Sequence, residues 1–286
     1  MRRLVCLALA GIVAVACSTQ GAVSAKPLVL TSTTLFADMA KNVGGDRVRV
    51  ASIVPAGAHV EEYEPKPEDS RRVSEASLFF VNGLDLDTWV NRLLRDKKAA
   101  APIVTLSDGL PTIEHNPHLW FDLSLGRQYV EKMRDALIAL DPDGKDAYAE
   151  NARRYDAELV KADDEVRARI ATIPADRRKL VSSHDAFPYF AKAYGLEVVG
   201  FAQVEPGKDP TPAELADLVQ KIRTAHVPAI FSETGVSPQI AQTIARETGV
   251  TTIVTDLPTD SVVAPPADTY AGVVRTVAQK IADALR

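Results

Sequence analysis

The spacing of hydrophobic and polar positions changes several times along this chain, and each change predicts an element. Short runs dense in β-branched and aromatic residues predict strands at Leu28 to Ser32, Val48 to Val54, Leu78 to Val81 and Ile103 to Leu106. Pro55 and Gly57 end the second run, and Asn82-Gly83 ends the third. Thr34 to Ala40 and Trp89 to Leu94 carry helical spacing between them. The second half repeats the alternation. Strands are predicted at Leu180 to Ser183, Val198 to Phe201, Ala229 to Phe231 and Thr252 to Val254. Helices are predicted at about 187–194, 211–224, 237–248 and 270–285, with Pro212 in a first turn, where proline is tolerated. Strands alternating with helices at this spacing read as βα units and parallel sheets.

Between the halves the chain is charged and apolar at helical intervals, at Leu137 and Leu140 and again at Leu159, Val166 and Ile170. Asp141-Pro142-Asp143-Gly144 breaks this stretch once. The helix predicted after it, over 147–173, is long for a globular domain. It reads as a rigid connector between two lobes, with a surface helix of one domain as the alternative. The expected fold is α/β: two lobes with central, mainly parallel sheets, joined by a long rigid helix. The expected division is 1–25 signal peptide, 26–125 first lobe, 126–176 helical region including the connector, and 177–286 second lobe. Ligands are expected between the lobes, at the C-terminal ends of the strands.

The N-terminus adds a destination. Met1-Arg2-Arg3 is basic, and Leu4 to Val15 is an apolar run of about a dozen residues. Such a run falls short of the roughly 20 residues that a membrane-spanning helix needs. A basic head before a short apolar run is an export signal. Val23-Ser24-Ala25 fits ordinary signal-peptidase cleavage and leaves a periplasmic product. Ala14-Val15-Ala16-Cys17 resembles a lipobox, in which Cys17 would be lipidated, although alanine stands where leucine is usual. Both cysteines, Cys6 and Cys17, lie in this segment, so cleavage at Ala25 leaves no disulfide and no thiolate ligand. The remaining chain of about 260 residues is long enough to bury a large core. A net charge of −5 argues against a nucleic-acid partner, whose phosphates demand a basic face.

Histidine is scarce: His59, His115, His118, His184 and His226. A site for a transition metal needs imidazoles and carboxylates that converge from different loops. His59 follows a predicted strand end, and His184 follows the strand ending at Ser183. His118 lies in Asn116-Pro117-His118-Leu119-Trp120-Phe121-Asp122, with His115 just before it as a minor candidate. His226 precedes a strand on the opposite side and reads as a surface residue. Taken singly, each is more often structural than ligating.

The surrounding words change that balance. Val54 to Asp69, with its His59-Val60-Glu61-Glu62-Tyr63-Glu64-Pro65 core, resembles the first ligand loop of the metal-binding receptors of ABC importers, the cluster A-I or TroA-like family. Asn116-Pro117-His118-Leu119-Trp120 is similar to the family's second motif, usually Asp-Pro-His-Xaa-Trp. Ser183-His184-Asp185-Ala186-Phe187 resembles its third, and Thr259-Asp260-Ser261-Val262, with Tyr270 beyond, its fourth. The resemblance runs from about Leu28 to Leu285, with the motifs in the family's order.

It implies His118, His184 and Asp260 as ligands, and a function of capture and delivery rather than catalysis. Asp256 competes with Asp260 but lacks the Asp-Ser context. The first ligand is open. Glu61 occupies the slot where the family has histidine, and His59 stands two positions earlier, so either could reach the ion; His59 is preferred, with Glu61 as the alternative. Glu233, after Ile230-Phe231-Ser232, is expected to orient a histidine. Three imidazoles and one carboxylate suit Zn2+; replacing His59 by Glu61 shifts the balance toward manganese or iron. The implied partners are the metal ion and an ABC permease, and a monomer is expected.

Two rivals remain. A zinc hydrolase would keep an open coordination position, whereas four protein ligands close the sphere, and no His-Glu-Xaa-Xaa-His occurs. An adhesin or a receptor for another ligand is compatible with the same scaffold.

Overall fold

The structure, a computed structural model, describes residues 25–94, 101–203, 208–234 and 238–286. The predicted export signal as far as Ser24, with Cys6 and Cys17, lies outside the described residues. In chain order the first half contains β1 (Leu28–Thr31), α1 (Thr34–Gly44), β2 (Arg49–Ser52), α2 (Pro67–Glu75), β3 (Leu78–Val81), α3 (Val90–Leu94) and β4 (Ile103–Thr105). The strands form one parallel sheet in the order β2-β1-β3-β4. Its central strands are apolar on both faces because helices cover both sides, and β3 is buried at every residue. Thr33 caps α1 through its hydroxyl and the Phe36 amide.

Next come α4 (Leu123–Leu140), capped by Asp122, and α5 (Lys145–Ala171). The second half runs β5 (Lys179–Ser182), α6 (Pro188–Tyr194), β6 (Glu197–Phe201), α7 (Pro212–Ala225), β7 (Ala229–Glu233), α8 (Pro238–Thr248), β8 (Thr252–Leu257) and α9 (Tyr270–Leu285). Thr211 and Glu214 form a capping box at the start of α7, ahead of Pro212. β5 pairs with β6 and β7 with β8, both in parallel, and β5 runs beside β7.

At 1.5 Å per residue α5 is about 40 Å long, and it is not a free-standing solvated rod. Tyr148, Ala152, Tyr155, Leu159, Ala162, Val166 and Ile170 recur every three or four residues and are buried. α5 packs on α1, α4 and α9. A single apolar core therefore runs from the first sheet through α4, α5 and α9 to β5 and β7. A smaller core joins Val181, Leu218, Ile222, Ile230 and Ile244 beneath α7 and α8. Gly126 on α4 leaves the room that Tyr270 fills, since a Cβ there would collide with the Tyr270 hydroxyl. Among the described residues, no helix is long and apolar enough to cross a membrane.

Candidate metal centre

Four loops leave the C-terminal ends of β2, β4, β5 and β8, and each is fixed by bonds distant in sequence. The first continues β2 through Ile53 and Val54, whose amides donate to the Thr31 and Ser32 carbonyls, and then turns at Gly57, where φ is +79°. Val60 beyond it is buried, and its carbonyl accepts from Trp89 Nε1 at 2.8 Å. His59 and Glu61 flank that anchor. The second loop ends in a single helical turn, Leu119–Phe121, with His118 at its start. Asn82 Nδ2 donates to the Pro117 carbonyl at 3.0 Å, and Tyr129 in turn donates to Asn82 Oδ1 at 2.7 Å.

In the third loop, Ser182 Oγ donates to the His184 carbonyl at 2.7 Å, and Ser183 Oγ meets Ser232 Oγ at 3.0 Å. The fourth is tied twice. Trp120 Nε1 donates to the Thr259 carbonyl at 3.2 Å, and the Gly57 amide donates to Ser261 Oγ at 3.0 Å. Tyr270, at the start of α9, closes the arrangement by donating to the Trp120 carbonyl at 2.5 Å.

These tethers bring His118 against His184 and His59 against Asp260, with the two pairs within range of each other's charge. The Nε2 atoms of His118 and His184 lie 3.2 Å apart. His59 Nδ1 lies 3.8 Å from Asp260 Oδ2. Glu233, at the end of β7, is completely buried and puts Oε1 3.5 Å from His184 Nδ1. Both carboxylate oxygens of Asp260, both of Glu233, and His59 Nε2 are buried without a hydrogen-bond partner. Orphaned buried acceptors are costly, and those of Glu233 and Asp260 act on the His184 ring, a surplus of negative charge that favours a cation there. Among the described residues, no group of three or more His, Cys, Asp or Glu side chains stands close enough to hold a metal ion without rearrangement. The donors instead face one another as a hydrogen-bonded pair and an ion pair, contacts that an ion would replace.

The electrostatics are divided between the two rings. Burial, with the charge of His184 beside it, pushes His118 down to about 3, so its imidazole is neutral. Burial acts on His184 in the same sense, but Glu233 and then Asp260 and Glu61 outweigh it and lift the ring to about 10. His184 is therefore charged at neutral pH and donates from Nε2 to the lone pair of His118. Burial, reinforced by the Asp260 charge, raises Glu61 to about 7. Asp260 is depressed: burial opposes ionisation, but its contact with His59 and the fields of His118 and His184 prevail.

Comparisons with known proteins show the family to which the chain belongs. Residues 29–284 match the family model described as ZnuA, zinc-uptake complex component A, periplasmic. The chain belongs to this family. It is 32% identical to the metal ABC transporter substrate-binding lipoprotein FimA of Streptococcus parasanguinis, over 96% of this chain and 94% of that one. It is 32% identical to the manganese ABC transporter substrate-binding lipoprotein PsaA of Streptococcus pneumoniae, over 92% of this chain and 90% of the relative. Among solved structures, the Mn-bound periplasmic metal binding protein of Candidatus Liberibacter asiaticus superposes with a TM-score of 0.83 at 30% identity, covering 91% of this chain and all of that one. The periplasmic zinc binding protein TroA of Treponema pallidum gives 0.83 at 27%, over 91% and 99%.

Membership in the ZnuA family makes the chain an exported receptor that binds a metal ion for an ABC importer, with the ion and a permease as partners and no enzymatic role. Several candidates stand away from the centre. His115 is exposed and 3.1 Å from Asp85. His226 is exposed at the end of α7, its Nδ1 against the Arg223 carbonyl. Asp256 points outward to Lys280 at 2.6 Å. What sequence reasoning missed is Asn116, which stands where the family has aspartate and bonds to both the His118 and the His184 loops. The departure from the family motif at that position was the available signal.

Proposed function

We propose that this ZnuA-family receptor captures zinc between its lobes, with His59, His118, His184 and Asp260 as ligands, and passes it to the permease as a monomer. The observation that carries this reading is the 3.2 Å separation of the two Nε2 atoms. Two imidazoles at 2.0–2.1 Å from a tetrahedral ion stand about 3.3 Å apart, so an ion enters with little movement of either ring. Three imidazoles and one carboxylate, with no thiolate among them, match the preferences of zinc.

Manganese is the second reading, and a specific observation favours it. Glu61 feels the charges of Asp260, His184 and His59, so a second carboxylate is at hand. Relatives such as PsaA are named for manganese. Lipid anchoring at Cys17, in the manner of the lipoprotein relatives, belongs with either metal.

Raw affinity does not separate the two, because zinc outranks manganese at almost any site of nitrogen and oxygen donors. Two other measurements do: the metal content of protein recovered from cells given both ions, and the coordination number from X-ray absorption. Zinc in a four-coordinate site that His59→Ala disrupts and Glu61→Ala leaves intact is expected. Manganese in a higher-coordinate site that depends on Glu61 would establish the second reading, and no bound metal would sink both.

A further inference from the structure

Asn116 makes more bonds between the candidate ligand loops than any donor does. Its Oδ1 accepts from the His118 backbone amide at 3.0 Å and lies 3.1 Å from His118 Nδ1. Its Nδ2 donates to the Asp185 carbonyl at 2.6 Å and to Asp185 Oδ2 at 3.1 Å. Tyr189 on α6 holds the same stretch, donating to the Asn116 carbonyl at 2.8 Å and accepting from the Ile113 amide at 2.9 Å. Asn116 is buried, so these are its available partners.

This set of contacts fixes the amide. Two oxygens of Asp185 require the NH2 group on their side, and the His118 amide requires an acceptor on the other. With Oδ1 an acceptor, His118 Nδ1 must be the donor. A neutral ring with its proton on Nδ1 keeps the lone pair on Nε2, the atom that faces His184. The other end of the amide spans from the loop after β4 to the loop after β5 and holds the residue next to His184. An aspartate here could accept from His118, but it would set a carboxylate against the Asp185 carboxylate. Asparagine at 116 and aspartate at 185 are thus complementary.

We propose that Asn116 is a positioning residue with two separable tasks: it sets the tautomer of His118, and through Asp185 it latches the His118 loop to the His184 loop, so that the pair governs how fast the ion leaves. The second task rests on the receptor reading above; the first does not.

The test uses three variants of the full chain. The His118 tautomer is read from imidazole 15N shifts in metal-free protein, and zinc release is timed by stopped flow into a chromophoric chelator. Asn116→Asp keeps the acceptor and loses the donor. It is expected to preserve the tautomer and speed zinc release about 10- to 100-fold, the range usual for lost outer partners of a ligand. Asn116→Asp with Asp185→Asn restores a donor across the gap and should return release to near the wild-type rate. Asn116→Leu, which removes both ends, should lose the Nδ1-protonated tautomer as well. Release unchanged in Asn116→Asp, or not rescued in the double variant, would overturn the latch. An unaltered tautomer in Asn116→Leu would overturn the first task. Failure of the wild type to bind zinc would sink the receptor reading, while the metal-free tautomer comparison would still decide what Asn116 does to His118.

Discussion

At the scale of single residues, the centre sets ligand chemistry against proton chemistry. His118 is held neutral by burial, with Nδ1 committed to Asn116. His184 is held charged by Glu233 and Asp260, which prevail over its burial. An ion must therefore displace a proton from His184, whose folded pKa of about 10 lies above its ordinary 6.5. The sign follows: below that value the proton competes, so affinity rises with pH through neutrality, by about tenfold per unit for each proton displaced. At pH 7 at least one proton should leave per ion bound, measurable by titration calorimetry in buffers of different ionisation enthalpy. Binding without proton release would contradict the charged His184. His118→Ala and His184→Ala should each weaken zinc binding by orders of magnitude in competition titrations. His226→Ala should bind as the wild type does, because that ring is exposed at the far end of α7.

At the scale of elements, α5 decides how the halves are held. Its buried stripe was legible from the spacing of Leu159, Val166 and Ile170, but what the stripe touches was not. Leu159 is completely buried, whereas its neighbour Val160 is 39% exposed. Leu159→Ala should cost about 2–5 kcal/mol of stability, and Val160→Ala should stay within about 0.5 kcal/mol. Urea unfolding of the metal-free protein distinguishes them, and equal losses would mean that the stripe is not the packed face. The strands were legible from their composition, with β1 and β3 standing out as apolar on both faces. Strand order and the side-by-side placement of β5 and β7 were not, because pairing depends on which edges meet after the helices have packed.

At the scale of the whole molecule, a continuous core through α4, α5 and α9 resists opening. A receptor whose lobes swung on a bare hinge would need that core to part. Small tilts and local ordering of the four loops are expected instead. Spin labels at Arg71 on α2 and Lys221 on α7, both solvent-facing, should change separation by about 2 Å or less when zinc binds, below the scale of a hinge closure. A much larger change by pulsed dipolar spectroscopy would show that α5 bends or that the core divides. On that expectation the ion would leave by loosening of the loops, which the Asn116–Asp185 contact and the Trp120–Thr259 bond hold together.

The linear order of residues determined the α/β class, the element types, the family, and which histidines stood in ligand-like words. Those properties depend on local spacing and composition, which a chain carries without folding. Only the tertiary structure decided that His118 and His184 face each other at 3.2 Å, that Glu233 is buried against His184, and that Asn116 spans two loops. Each of these joins residues dozens of positions apart, and their distance is set by helix packing and strand order. The tertiary structure likewise separated His115, His226 and Asp256 from the centre, because exposure is a property of the packed molecule.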